Sequence, residues 1–228
     1  MIKKIFKKIK NKLRKLFKVT KYQKSFAQSG EDLILNTLFC NKKKGFYIDV
    51  GANDPYFQSN THYFYELGWQ GINIDANPES IQKLKKIRKR DINIEALISN
   101  KDTNLKYFIF EKSAFNGIVY NENIPSKLKS TKIIKSKTLT NVLNNEKLIT
   151  IDFLSIDAEG HDFEVLKSLD LSLIRPSVIL IESLCFDINK DISSDISEYL
   201  RQWDYKYFCK TVTNTFYISK EFEKQRFK

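Results

Sequence analysis

Short apolar runs along the chain alternate with segments in which apolar residues recur every three or four positions. Residues 46–50 (FYIDV), 71–75 (GINID), 92–99 (INIEALIS), 150–157 (TIDFLSID) and 176–183 (PSVILIES) read as five buried strands, because they are short, β-branched and bounded by turn residues. The stretches NTHYFYELG, NPESIQKLKKIR, LTNVLNN, DFEVLKSLD and DISSDISEYLRQW fall between or after them and carry helical spacing. Asn77 followed by Pro78 supplies an N-cap and a proline in the first turn. GEDLILNTLF predicts a helix ahead of the first strand, and LKYFIFE an extra strand. Residues 113–137 are polar and irregular, a surface excursion. YKYFCK and NTFYISK lie close enough to pair antiparallel at the end. Alternation of strand and helix at this spacing predicts an α/β fold: a doubly wound, mostly parallel sheet with an antiparallel closing strand.

A further periodic segment precedes this body. In MIKKIFKKIKNKLRKLFK, Ile2, Ile5, Phe6, Ile9, Leu13, Leu16 and Phe17 keep helical spacing and lysines fill the rest. Residues 1–22 are therefore expected to form a basic amphipathic helix, and 23–228 a single domain. Such a helix suits peripheral contact with an anionic membrane through residues 1–20; a solvated helix docked on protein is the alternative. The formal charge of +12 is concentrated here: residues 1–24 hold 11 Lys/Arg and no acid, which leaves 28 basic against 27 acidic residues in the rest. A basic groove for nucleic acid is thus not expected on the domain. Cys40, Cys185 and Cys209 form neither a disulfide framework nor a zinc pattern, which fits a reducing cytoplasm. No apolar run approaches 18 residues, so no membrane span is expected.

The carboxyl ends of the predicted strands carry the candidate chemistry. In an open α/β sheet a ligand sits outside those ends. The first ends in Asp49, then Gly51, Asn53 and Asp54; the second in Asp75, Ala76 and Asn77. The third ends near Leu97 and Ser99, the fourth in Asp157, Glu159, Gly160 and His161, and the fifth in Glu182 and Ser183. Carboxylates near a core edge are costly unless paired or liganded. Asp75 stands where an acid can accept from both hydroxyls of an adenosine ribose. The loop after the first strand has one glycine rather than G-x-G-x-x-G, and Asp49 and Asp54 lie close by, so a pyrophosphate is poorly served. A cofactor with a cationic centre and an amino-acid tail, such as S-adenosylmethionine, suits it better.

Read together, GFYIDVGANDPYFQSNTHYFYELGWQGINIDANPESI, IDFLSIDAEGHDFEVLKSLDL and RPSVILIES resemble the FkbM family of S-adenosylmethionine-dependent methyltransferases over about residues 25–183; the upstream Gln28, Ser29, Gly30, Glu31 and Asp32 also match. The resemblance implies a class I methyltransferase (Rossmann-like) fold and methylation of oxygen, often on sugars of polysaccharides or glycolipids. It implies cofactor contacts from Asp49, Gly51, Asn53, Asp75, Ala76, Asn77 and Leu97, with Asp157 beside the reacting methyl. For proton removal the candidates are His161 and Glu159. Asp54, Tyr56 and Asn60 are candidates for the acceptor pocket, and residues 29–32 (SGED) for closing over the cofactor. Asp157 and Glu182, on adjacent strand ends, are the candidates for a divalent-cation seat, which is not expected because the resemblance implies no metal. The expected reaction is O-methylation of a saccharide or sugar-linked acceptor in a bacterial cytoplasm, with peripheral attachment at the inner face of the membrane as the variant that the N-terminal helix suggests. The alternatives are N-methylation of a small phosphorylated amine, and a non-catalytic membrane-surface protein that keeps the fold.

Overall fold

A computed structural model describes residues 24–40, 42–120, 122–144 and 150–227; the helix expected over 1–22 lies outside the described residues. The body contains helices α1 (Glu31–Leu38), α2 (His62–Glu66), α3 (Pro78–Ile87), α4 (Leu139–Leu143), α5 (Asp162–Lys167), α6 (Ile188–Ile192), α7 (Asp195–Gln202) and α8 (Lys220–Arg226). Its strands are β1 (Phe46–Val50), β2 (Gln70–Asp75), β3 (Ile92–Glu95), β4 (Asn104–Phe110), β5 (Leu128–Lys135), β6 (Phe153–Ile156), β7 (Val178–Glu182), β8 (Tyr205–Lys210) and β9 (Asn214–Ser219).

Seven strands form one sheet in the order β3-β2-β1-β6-β7-β9-β8. β3, β2, β1, β6 and β7 pair in parallel, whereas β9 pairs antiparallel with both β7 and β8. The strand order reverses between β1 and β6, where a doubly wound sheet opens its ligand crevice. This is the class I methyltransferase arrangement, with the expected antiparallel closing strand.

Strand alternation builds the two layers. Ile48, Ile72, Leu154, Ile156, Ile179 and Ile181 face a core shared with Leu139 of α4, Val165 of α5 and Leu200 of α7. The intervening residues Tyr47, Phe153, Val178 and Leu180 face the opposite core, with Leu35 and Leu38 of α1, Phe64 of α2 and Trp69. On that second face the apolar residues give way to Asp49 and Ser155 toward the strand ends, so the layer that begins as core ends as a polar floor.

Three expectations need correction, and one helix is added. The third strand ends at Glu95, because the chain then turns away and Ile98 makes only an isolated bridge to Lys137. Residues 113–137 are not an irregular excursion throughout: β5 pairs with β4 as a separate antiparallel hairpin, its polar sequence reflecting exposure of nearly every residue. The helix expected over 191–203 is two helices, because the buried Asp191 and the N-cap Ser194 stop one and start the next. A last helix, α8, follows the closing strands, capped by the Ser219 side chain on Phe222 N.

Candidate active site

A cavity of about 350 Å³ opens at the carboxyl ends of β1, β2, β6 and β7. Of the residues singled out from the sequence, Asp49, Gly51, Asn53, Asp54, Asn60, Asp75, Ala76, Leu97, Asp157, Glu159, His161 and Glu182 line it. Asn77 and Tyr56 do not. Asn77 turns its side chain to cap α3, accepting from Glu79 N at 3.1 Å. The Tyr56 ring packs edge-on against buried His62, centroids 4.7 Å apart, on the outside of the loop.

The floor is set by backbone that only special residues tolerate. Gly51 has φ +82°, and a Cβ there would stand 1.7 Å from the Asp157 carbonyl oxygen. A side chain at this turn is therefore excluded by conformation and by space together. Asn53, Gln58 and Glu159 also have positive φ, at 39°, 54° and 51°, and all three line the cavity. Such conformations are uncommon outside glycine and concentrate at binding sites.

On the β1–β2 side, fixed donors hold the acids. Asp75 accepts from Asn53 N at 2.8 Å and from Asn77 N at 2.7 Å. Burial raises its pKa to about 6 against the lowering effect of these bonds. Asp49 accepts from Thr61 Oγ1 at 2.7 Å; its pKa is raised, again by burial first. Behind them lies Arg88, wholly buried, which sequence reading treats only as the end of a basic helix. Its guanidinium donates to Pro55 O at 3.0 Å, Tyr47 Oη at 3.1 Å and Ser59 Oγ at 2.9 Å. Asp91, 3.6 Å from the guanidinium, accepts a hydrogen bond from the Tyr47 hydroxyl at 2.5 Å and completes this buried network. Arg88 thus fixes the 53–61 loop from beneath. No local signal announces it: its partners are distant in sequence.

On the β6–β7 side the acids are crowded instead. Asp162 accepts from Ala158 N at 2.7 Å and Gly160 N at 3.1 Å, shaping the loop that presents Glu159. Asp157, Glu159 and Glu182 have no side-chain hydrogen bond among the described residues. Burial, then the charges of Glu182 and Asp162, push Asp157 well above the carboxylate range. Burial followed by Asp157 raises Glu159 to about 8, and burial followed by Asp162 raises Glu182 to about 8. His161 Nε2 lies 3.0 Å from Ser99 Oγ, and burial lowers its pKa.

The roof comes from the segment read as a surface excursion. Ser113–Ile118 covers the cavity; Ser113 Oγ donates to Asn53 Oδ1 at 2.9 Å and Gly117 bridges back to Phe108. The element at residues 29–32 does not line the site. Glu31 is buried and accepts from Thr211 Oγ1 at 2.6 Å and Asn214 Nδ2 at 3.2 Å, and Asp32 accepts from Phe26 N at 2.7 Å, so the pair clamps the entering chain to the β8–β9 turn. Gln28, just before it, does line the cavity. Among the described residues no group of three or more His, Cys, Asp or Glu is placed to hold a metal ion. No described helix is long and apolar enough to cross a membrane.

A seven-stranded sheet of this order, with acids gathered at the crevice, defines a class I methyltransferase. The family match names the branch: the methyltransferase FkbM domain matches residues 49–207, and the chain belongs to that family. No curated protein matches the chain. Among solved structures, it is similar to precorrin-6y C5,15-methyltransferase from Geobacter metallireducens GS-15, at 12% identity and TM-score 0.47, covering 86% of this chain and 93% of that one. It is also similar to the N-terminal domain of human METTL16, at 16% identity and TM-score 0.44, covering 82% and 67%. TrmK from M. capricolum, solved in complex with S-adenosylhomocysteine, aligns at 14% identity and TM-score 0.39 over 81% and 66%. The fold assignment rests on the strand order and the family, not on these distant likenesses.

Proposed function

We propose that the protein transfers a methyl group from S-adenosylmethionine to a hydroxyl of a saccharide or sugar-linked acceptor. One observation carries the reading. In a chain of formal charge +12, the cavity is lined by Asp49, Asp54, Asp75, Asp157, Glu159 and Glu182, and among the described residues by no Lys or Arg. A pyrophosphate cofactor would find no facing cation there. A cofactor bearing a sulfonium and an ammonium meets opposite charge, and the donor set fits it.

S-adenosylmethionine supplies an electrophilic methyl group when bound. The chain's own residues do the rest. Asp75, held by two backbone N–H groups, keeps lone pairs for the ribose hydroxyls. Asp49 draws the ammonium. Gly51 lets β1 and the Asp157 loop close together beneath the methionine part. Glu159 takes the acceptor proton: it is free of internal donors, and a pKa of about 8 suits a general base near neutral pH. His161, engaged by Ser99, positions the loop next to it. An uncharged polyhydroxyl acceptor satisfies the remaining carboxylate lone pairs. An amine acceptor also suits the acids, but the phosphate of a phosphorylated amine finds no facing cation.

The test has two arms. S-adenosylhomocysteine titrated into the protein by calorimetry is expected to bind in the micromolar range. Labelled S-adenosylmethionine is then offered with neutral oligosaccharides or with phosphorylated amines; transfer to the former supports O-methylation, and transfer to the latter alone overturns it. Absence of binding by folded protein would remove the cofactor assignment.

A further inference from the structure

Beyond β7, large apolar side chains face solvent in a row that begins at the cavity. Leu184 lines the opening and is 60% exposed. Phe186 follows at 78%, Ile188 at 57% and Ile192 at 39%. The row follows from how the chain leaves β7. Ser183 N donates to Thr213 O at 2.8 Å, which fixes the strand end against the β8–β9 turn. The Asp187 side chain accepts from Asn189 N at 3.0 Å and starts α6. Asp191 is buried and accepts from Thr215 Oγ1 at 2.7 Å, which pins α6 to β9. Ile188 and Ile192, four residues apart, fall on one side of that helix. The backbone beneath the row is thus held in place while its side chains stay uncovered.

Exposed apolar residues scattered singly are ordinary; a row of them joined to a cavity marks a ligand site. Its occupant follows from what the cavity allows. A protein partner, a second copy included, covers about 800 Å² of each face in a stable interface. Four side chains fall short of that, and such a partner would close the opening at Leu184. An anionic bilayer would set its phosphates against the six carboxyl groups that line the cavity. An uncharged aliphatic chain on the acceptor meets neither obstacle: it loses wet surface at every apolar contact and leaves the opening to the sugar.

We propose that Leu184, Phe186, Ile188 and Ile192 bind an uncharged aliphatic chain borne by the acceptor, whose sugar end enters the cavity. The acceptor is then an amphiphile with no charge at the junction of sugar and chain, since no described Lys or Arg lines the cavity. This rests on the methyl-transfer reading above and adds to it a second recognition element, outside the reacting centre.

The experiment titrates octyl β-glucoside and methyl β-glucoside into the full chain saturated with S-adenosylhomocysteine, below the micelle concentration of the octyl compound, with ligand-observed NMR as the readout. Each buried methylene adds about fourfold in affinity, so the octyl compound is expected to bind about tenfold more tightly or better. The full-chain variant Phe186→Ser/Ile188→Ser is expected to lose about tenfold for the octyl compound, at an unchanged melting temperature and unchanged S-adenosylhomocysteine affinity. Should it melt early, Phe186→Ser alone gives the same loss at about threefold. Ile133→Ser removes an exposed apolar group from β5, away from the row, and is expected to change nothing. With S-adenosylhomocysteine bound, equal or absent binding of the two glucosides would overturn the proposal and leave the methyl-transfer reading standing. So would octyl binding that survives the double variant, or that falls as far in Ile133→Ser. Failure of the folded chain to bind S-adenosylhomocysteine would remove both.

Discussion

Asp49 and Asp75 accept hydrogen bonds from Thr61, Asn53 and Asn77, whereas Asp157, Glu159 and Glu182, across the same cavity, accept none among the described residues. The first set is built in, with a buried Arg88 network beneath it. The second is left wanting: burial first, and then the neighbouring acids, raise its pKa values, with no hydrogen bond to lower them. The difference separates tasks. Acids that are already satisfied stay in place and read a fixed partner; acids that are unsatisfied hold protons near neutral pH and can exchange them.

The largest effect that probes this contrast is structural. Arg88→Met removes the guanidinium that faces Tyr47, Ser59 and Asp91 and leaves Asp91 buried without its partner. It is expected to cost roughly 3–5 kcal/mol of unfolding free energy in urea titrations. A loss below about 1 kcal/mol would mean that the loop is held by other contacts.

Next in size is a paired comparison of cofactor-product affinity. Asp75→Ala is expected to weaken S-adenosylhomocysteine binding by about a hundredfold or more, since hydrogen bonds to a charged group contribute roughly 1.5–3 kcal/mol each. Glu182→Gln is expected to change it within about threefold. Equal losses in calorimetry would erase the distinction between the two sides.

The smallest effect is a pH dependence of stability. Glu159 and Glu182 rise from an ordinary 4.5 to about 8 in the folded chain, so the folded state holds protons that the unfolded state has released. Their contribution is full below pH 4.5 and is lost as pH rises through 8. Thermal melts of the ligand-free protein should fall over this window. Glu159→Gln/Glu182→Gln should flatten that fall and raise the melting temperature at pH 8 by roughly 2–4 °C. A steeper fall in the variant would show that other groups dominate.

The sequence carried the sheet because its strands are continuous apolar runs, and it carried the acid-lined rim because acids end those runs at a known place in the topology. Asp75 and Gly51 were legible for that reason. Arg88 was not, since a lysine-rich helix end looks solvated until Pro55 and Ser59 fold over it. β5 was hidden by its lysines: a strand exposed on both faces has no apolar alternation to read. The roof over the cavity depends on that hairpin and was hidden with it. Tyr56 was misread because its aromatic ring suits a sugar face equally well as it suits the edge of His62.

The β4–β5 hairpin stands apart from the seven-stranded sheet as its own two-stranded unit, and the roof segment between its strands reaches the site. Its outer strand is almost wholly exposed, so changes there leave the main core untouched. Within a lineage of related enzymes, this detachable piece can be lengthened, shortened or rewritten while β1, β2 and their acids stay fixed. The fold therefore separates what must be inherited from what is free to diversify: the donor grip in the sheet, and the choice of acceptor in the hairpin above it.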